Sequence, residues 1–195
     1  MKMFQESFKE FKDLRAVIVT GLLVSLSMVI ESFSLNLGFA KINFAFLAIA
    51  AIGMLYGPSV SLCAGAVCDI LGFLVKPDGA FFPLYTLIGA VQGLIYGIIA
   101  YRKLSNKTGK SFDIEMIVRL IIARVVDVVC INLICNTAAN FHYGFLGDKT
   151  LSAAIVARIA KNLLELPIDI ILIISVLMAV LKAYTMVFGQ RRSAA

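Results

Sequence analysis

The chain has 195 residues, of which 61% are hydrophobic and 15% charged, with a formal net charge of +6 and a mean hydropathy of +0.94. Soluble domains contain about 45–50% apolar and about 25% charged residues, and a globule of this size could not bury the apolar surplus in one core. The surplus must therefore face lipid. This excludes a soluble nucleic-acid-binding module, a disordered chain and a secreted disulfide scaffold.

Residues 1–14 predict a short amphipathic segment on the cytoplasmic side of a membrane. Phe4, Phe8, Phe11 and Leu14 recur at helical spacing, with charged residues between them. A helix of this kind lies in the headgroup layer with its apolar face toward the acyl chains. A frayed polar tail is the alternative, and the segment is too charged to be a secretory signal peptide.

Six apolar runs follow, each long enough or nearly long enough to cross a bilayer as a helix. They cover residues 15–34, 42–57, 59–75, 80–101, 114–136 and 151–182. Most Lys and Arg residues lie before the first run, between the fourth and fifth, and after the sixth, so the positive-inside rule places both termini in the cytoplasm. We therefore expect an all-α integral membrane protein, a six-transmembrane-helix bundle forming one domain over residues 1–195.

The predicted spans contain no recognisable catalytic or metal-binding motif. Cys63, Cys68, Cys130 and Cys135 lie inside apolar runs, and the five-residue spacing within each pair turns the two thiols apart on a helix. The Gly-Lys-Ser sequence at 109–111 lacks the preceding glycine of a phosphate-binding loop. We therefore expect no metal, no cofactor and no enzymatic activity. An intramembrane acid–base enzyme is the weaker alternative.

Ionisable residues inside the predicted spans need an explanation, because each costs roughly 3 kcal/mol near the bilayer centre. They are Glu31, Asp69, Arg124, Asp127, Arg158, Lys161, Glu165 and Asp169. For any single residue the alternative to a functional role is a structural ion pair, for instance Arg124 with Asp127. Arg158 and Glu165 are a second possible pair.

Polar residues on the fifth and sixth spans follow helical spacing. Arg124 and Asn136 share one stripe of the fifth span, and Arg158 and Asn162 share one stripe of the sixth. Pro167 interrupts the sixth helix beside them and frees backbone carbonyls that only a buried or wet setting tolerates. Two polar stripes on neighbouring helices predict a shared cavity.

Three predicted outer loops, 37–46, 76–83 and 140–145, are rich in aromatic residues. Flat rings with a few hydrogen-bonding groups suit an aromatic ligand that has polar edges. An ordinary belt of interfacial aromatic residues is the alternative. His142, in the third loop, fits a hydrogen bond at the rim of a binding site better than it fits catalysis.

The sequence also resembles the folate-family substrate-binding (S) components of energy-coupling factor (ECF) transporters. The resemblance is carried by segments 41–47 (KINFAFL), 53–58 (GMLYGP), 65–69 (GAVCD), 79–87 (GAFFPLYTL) and 93–97 (GLIYG). It implies a prokaryotic plasma-membrane protein that captures a vitamin, in the first place folate, from outside the cell. It also implies docking onto a transmembrane coupling (T) subunit and two cytoplasmic ATPase subunits, which would supply the energy for uptake.

A folate ligand would give the polar and aromatic residues distinct roles. Candidates to hydrogen-bond the aminopyrimidine edge of the pterin are Asp69 and Asn136. Candidates to stack on its faces are Phe39, Phe81 and Tyr85. Candidates to bind the carboxylates of the glutamate tail are Arg124, Arg158 and Lys41. We rank Arg158 and Asn162 ahead of Arg124, because Arg124 lies deeper and has Asp127 close by.

The resemblance also implies a docking surface on the first membrane helix. Many members of the family dock through an Ala-x-x-x-Ala motif there, and Gly21 and Ser25 occupy the matching positions. Both are small enough for close backbone approach by another helix. Ala16 and Thr20 are the alternative pair.

Two other functions remain open at this point. Another flat vitamin, such as riboflavin, would keep the family and change the ligand. A gradient-driven secondary transporter would belong to a different class, and it would move its substrate without partner subunits.

Overall fold

The computed structural model describes residues 2–32, 35–36, 41–42, 44–75, 80–101, 114–145 and 151–188. Apart from two strands of two residues each, these residues form helices joined by short connections. The strands, β1 (Leu35–Asn36) and β2 (Lys41–Ile42), pair antiparallel. The all-α prediction is confirmed, with this β pair as an addition.

The helices in chain order are α1 (Lys2–Glu10), α2 (Leu14–Ser32), α3 (Phe46–Tyr56), α4 (Pro58–Val75), α5 (Pro83–Ala100), α6 (Ile114–Asp127), α7 (Asn136–His142) and α8 (Leu151–Phe188). A π-helical stretch, Val128–Cys135, joins α6 to α7, so that residues 114–142 form one continuous helix. Pro167 lies inside α8, where it provides no amide to bond the carbonyl of the preceding turn.

Four of the described helices are long and apolar enough to cross a membrane: Leu14–Glu31, Pro58–Val75, Pro83–Ala100 and Ile155–Phe188. The membrane character of the chain is therefore confirmed. Helices also occupy the other two predicted spans. The second span contains α3, which has 11 residues, and the fifth contains most of the 114–142 helix with its π-helical stretch. Six crossings with both termini in the cytoplasm stay a prediction.

Helix α3 forms the centre of the bundle because it is apolar on every side. All of its residues are buried, and α2, α4, α5 and α8 pack around it. A helix without a polar face cannot lie at a water-exposed surface. Its buried side chains Met54 and Tyr56 share one core cluster with Tyr96 of α5 and Leu177 of α8.

Glycines bring α4 and α5 into close contact. A Cβ atom on Gly65 would overlap the carbonyl oxygen of Gly89, and a Cβ atom on Gly93 would overlap the carbonyl oxygen of Ser61. At the same contact, the Ser61 hydroxyl donates a hydrogen bond of 2.7 Å to the backbone carbonyl of Gly93. Small residues of this kind let membrane helices approach until their backbones touch. The pair thereby forms a rigid wall beside α3.

We predict that Gly65→Ala destabilises the protein, because the added methyl group has no space between the α4 and α5 backbones. Overpacking of this kind costs about 1–3 kcal/mol. The measurement is the thermal unfolding temperature of the purified protein in detergent. Gly21→Ala is the matched control, since no atom of the described residues lies within 4 Å of a Cβ atom there. Equal unfolding temperatures for the two variants would contradict this packing.

Candidate functional site

A cavity of about 760 Å³ lies between α2, α3, α4, α5, the 114–142 helix and α8. Pockets for small ligands and cofactors commonly measure 300–1,000 Å³. Its charged and amide side chains are Glu31, Asp69, Gln92, Arg124, Asn132, Asn136, Asn140, Arg158, Lys161, Asn162 and Glu165. The predicted shared cavity between the two polar stripes is therefore present in the structure.

A buried guanidinium forms part of the cavity lining. Arg124 Nη1 lies 2.6 Å from Asp127 Oδ2, and its Nη2 lies 2.6 Å from Asp169 Oδ2. Asp127 Oδ2 also accepts hydrogen bonds from Tyr96 OH at 3.1 Å and from Gln92 Nε2 at 3.3 Å. We call Arg124, Asp127 and Asp169 the Arg124 cluster. It links α6 to α8, and its hydrogen bonds with Tyr96 and Gln92 link it to α5.

The charge of Arg124 is committed to this cluster. Two carboxylates face one guanidinium, so the ionised cluster has a formal charge of −1, and all three side chains are buried. The guanidinium carbon also lies 3.7 Å from the centroid of the Phe46 ring, in a cation–π contact with α3. Buried charges require such partners, because burial without them is strongly unfavourable. The predicted pair of Arg124 and Asp127 is thus found, and Asp169 joins it.

Arg158 has a different environment from Arg124. Its Nη1 donates a hydrogen bond of 3.1 Å to the backbone carbonyl of Asn132, and within the described ranges no carboxylate forms an ion pair with it. The possible pair of Arg158 with Glu165 is absent there, because Glu165 lies 3.6 Å from Lys161 one turn away on α8. A cationic group that donates to a carbonyl and pairs with no described carboxylate is suited to bind an anionic ligand.

Three amide side chains continue from Arg158 along the cavity wall. Asn132 Nδ2 lies 3.5 Å from Asn162 Oδ1, and Asn136 Nδ2 lies 3.4 Å from Asn132 Oδ1. These distances are at the long end for hydrogen bonds, so the amides retain much of their capacity to bond a ligand. Asn132 belongs to the π-helical stretch, a feature that occurs frequently at functional sites.

The side of the cavity formed by α2 and α4 is acidic. Asp69 on α4 accepts a hydrogen bond of 2.6 Å from Thr86 Oγ1 on α5, and Glu31 on α2 lines the same cavity. Ser27 and Cys68 line the same cavity, with Oγ and Sγ 3.2 Å apart. The cavity thus has carboxylates on α2 and α4, whereas its cations Arg158 and Lys161 lie on α8 together with Glu165, which pairs with Lys161.

The structure places six of the predicted site residues in the cavity lining: Asp69, Tyr85, Arg124, Asn136, Arg158 and Asn162. Phe81 is outside the lining, with its ring centroid 5.2 Å from that of Phe73. His142 is also outside it and packs on Tyr143 at 5.1 Å. The Lys41 side chain and the whole of Phe39 lie outside the described part of the chain.

Gln92 is a polar lining residue that the sequence analysis did not single out, and Phe46 and Asn140 were included there only as members of the aromatic loops 37–46 and 140–145. Gln92 completes a helical stripe on α5 with Tyr85 and Gly89, and this spacing was a usable signal. Asn140 continues the four-residue spacing of Asn132 and Asn136. Phe46 lies in an apolar run, where the sequence gives no sign that its ring covers a guanidinium.

Aromatic residues pack beside the cavity where α5 begins. The ring centroids of Phe82 and Tyr143 lie 4.4 Å apart, and those of Phe82 and Phe145 lie 5.2 Å apart. Tyr85 donates a hydrogen bond from its hydroxyl to Asn140 Oδ1. This cluster ties the start of α5 to the end of α7, so two cavity-lining helices are joined at this end.

The fold and the cavity are those of a membrane component that binds a substrate within a helical bundle, and sequence comparison gives its family. Residues 15–177 match the family described as "ECF transporter, substrate-specific component". The chain belongs to this family, whose members are the S components of ECF transporters.

Two curated relatives and one solved structure are similar over most of their length. The folate transporter FolT of Clostridium novyi (strain NT) is 30% identical over 164 residues, 83% of this chain and 87% of the relative. FolT of Leuconostoc mesenteroides subsp. mesenteroides is 26% identical over 159 residues, 81% of this chain and 82% of the relative. A crystal structure of FolT bound with folic acid superposes with a TM-score of 0.65 at 28% identity, covering 82% of this chain and 90% of that one.

We predict that Arg124→Met destabilises the protein far more than Arg158→Met. Removal of Arg124 leaves two buried carboxylates without their cation, at a cost of about 3–5 kcal/mol. Arg158 has no such partners among the described residues. The thermal unfolding temperature in detergent measures the difference.

A triple variant tests whether the charge is responsible. Arg124→Met combined with Asp127→Asn and Asp169→Asn removes all three formal charges, and it is expected to recover a large part of the stability lost by Arg124→Met. No recovery would mean that Arg124 acts through packing on Phe46 rather than through its ion pairs.

Proposed function

We propose that the chain is the folate-binding S component of an ECF transporter in a prokaryotic plasma membrane. The observation that carries the proposal is the cavity, which presents amide side chains, carboxylates and, in Arg158, a cation that pairs with no carboxylate among the described residues. Relatives named as folate transporters and a related structure with bound folic acid support folate as the ligand.

The charges of the cavity match the two ends of a folate molecule. The pterin has an aminopyrimidine edge whose N–H groups suit a carboxylate, which Asp69 offers. Asn136, the other candidate from the sequence for this edge, lies 3.4 Å from Asn132, which also contacts Arg158 and Asn162. The glutamate tail has two carboxylates, which suit a guanidinium and amide N–H donors. Arg158 and Asn162 are the residues that we assign to the tail.

Arg124 is a weaker partner for the tail than Arg158. Both of its terminal nitrogens already lie 2.6 Å from carboxylates, and the cluster around it has a net negative charge. A ligand carboxylate near this cluster would meet two like charges. We therefore assign Arg124 to the architecture of the site, although it lines the cavity.

Tyr85 is the stacking residue that we retain. It lines the cavity, and its hydroxyl is held by Asn140. A tyrosine fixed in this way offers one ring face in a defined direction. Phe46 is the second aromatic ring in the lining, but the guanidinium of Arg124 covers one of its faces.

Uptake through this chain requires partner subunits under the proposal. We place six crossings in the membrane with both termini in the cytoplasm, and we assign ATP hydrolysis to two partner ATPases. Gly21 and Ser25 of α2 form the proposed contact with the coupling subunit. Both are exposed, and in the described part of the chain nothing lies within 4 Å of a Cβ atom at Gly21. The Ser25 hydroxyl donates a hydrogen bond to the Gly21 carbonyl of its own helix.

The first test is whether a ligand leaves the purified protein on heating, read by absorbance and mass. A folate species supports the proposal, whereas a flavin keeps the family and changes the ligand. Protein that is empty and that also fails to bind added folate or flavin contradicts vitamin binding. Gradient-driven flux through this chain alone in liposomes would then indicate a secondary transporter.

We predict that Arg158→Ala weakens folate binding about 10- to 100-fold, because a charge-assisted hydrogen bond contributes about 1.5–3 kcal/mol. Asn162→Ala is expected to weaken it less. Isothermal titration of the purified protein with folate measures both effects. Arg119→Ala is the matched control, since Arg119 pairs with Glu115 on the exposed side of α6. Equal losses in Arg158→Ala and Arg119→Ala would refute the assignment.

We predict that Gly21→Phe abolishes uptake by the assembled transporter while folate affinity of the isolated chain stays unchanged. The bulky ring blocks close approach of another helix at α2, and Gly21 does not line the cavity. Uptake of labelled folate into proteoliposomes that contain all subunits measures the first effect. Ala179→Phe, at an exposed position of α8, is the control and should retain uptake.

A further inference from the structure

A buried serine, Ser7, attaches helix α1 to the bundle. The Ser7 hydroxyl donates a hydrogen bond to the Tyr56 carbonyl at 2.7 Å, and its oxygen accepts from the Ser59 and Val60 amides at 3.0 and 3.3 Å. These amides belong to the first turn of α4, where a helix has no internal acceptors. Ser7 therefore caps α4 from outside and binds α1 to the turn between α3 and α4.

The position of α1 follows from its two attachments. It ends at Glu10, a few residues before α2 begins at Leu14, and it touches α4 where that helix begins. Both α2 and α4 are candidate membrane spans. Helix α1 thus bridges the starts of two spans and lies across one end of the bundle, at the level where a bilayer surface would be.

Helix α1 and the turn that follows it carry a row of exposed aromatic rings, which we call the Phe row. Phe4, Phe8 and Phe11 are 41%, 65% and 38% exposed, and the rings of Phe8 and Phe11 lie 5.7 Å apart. The row continues into the outer face of α2 through Leu14 and Val17, which are 71% and 49% exposed. The apolar surface of α1 is therefore continuous with an exposed apolar face of α2, which is a candidate membrane span.

We propose that the Phe row is a membrane anchor that inserts into the headgroup and upper acyl region of the bilayer. Exposed Lys9, Lys12 and Arg15 follow the same segment, where lipid phosphates would be their partners. The Phe8 ring, which is 65% exposed, and these three cations together favour lipid over a protein as the occupant. A second copy of this chain or a partner subunit on the Phe row is the outcome that would overturn the proposal.

The chain has no tryptophan, so one introduced tryptophan reports on its own surroundings. Phe8→Trp places the reporter on the Phe row, and Lys9→Trp, also at an exposed position, places it on the neighbouring polar side of α1. Each full-length variant is reconstituted into vesicles of phosphatidylcholine and phosphatidylglycerol. Quenching by brominated phosphatidylcholine is then compared with quenching by aqueous acrylamide.

The anchor predicts that Phe8→Trp emits at shorter wavelength than Lys9→Trp. It also predicts a ratio of brominated-lipid quenching to acrylamide quenching that is several-fold higher for Phe8→Trp. Similar emission and similar ratios for the two variants would overturn the proposal. The proposal would also be overturned if brominated lipid quenched Phe8→Trp only after removal of a partner subunit. Phe4→Trp is a second reporter on the same row if Phe8→Trp does not fold.

Discussion

One guanidinium, that of Arg124, is the interaction on which the arrangement of the cavity depends. It contacts Asp127 on its own helix, Asp169 on α8 and the Phe46 ring on α3. Tyr96 and Gln92 bring α5 into the same network. Buried ion pairs add little net stability but become costly when one partner is lost. The network therefore fixes how four helices meet more than it stabilises the bundle.

Most of the helices could be predicted from the sequence because length and hydropathy are strong signals in membrane proteins. Helices occupy each predicted span, with α2, α4, α8 and the 114–142 helix extending past the predicted bounds, and α1 lies within residues 1–14. The π-helical stretch Val128–Cys135 could not be predicted, since its residues are as apolar as those of an ordinary span. The β pair could not be predicted either, because strands of two residues are too short to show an alternation of polar and apolar residues.

The candidate site was predictable where a residue is polar in an apolar run. That criterion found Asp69, Asn136, Arg158 and Asn162, because polar groups inside a membrane bundle face its interior. It did not distinguish a charge held by neighbours from one open to a ligand. The partner Asp169 of Arg124 is 45 residues away, and only the packing of α6 against α8 brings the two together. Aromatic richness selected Tyr85, which lines the cavity, as well as Phe81 and His142, which pack outside the lining.

The lengths of α3 and α8 impose unequal demands on the surrounding lipid. At 1.5 Å per residue, the 11 residues of α3 span about 16 Å and the 38 residues of α8 about 57 Å, against a hydrocarbon thickness of about 30 Å. Since α3 is buried throughout, protein rather than acyl chains compensates for its shortness. Helix α8 has many exposed apolar side chains, so it must tilt, project beyond the bilayer or thicken it locally. Membrane thickness should therefore act on this protein mainly through α8.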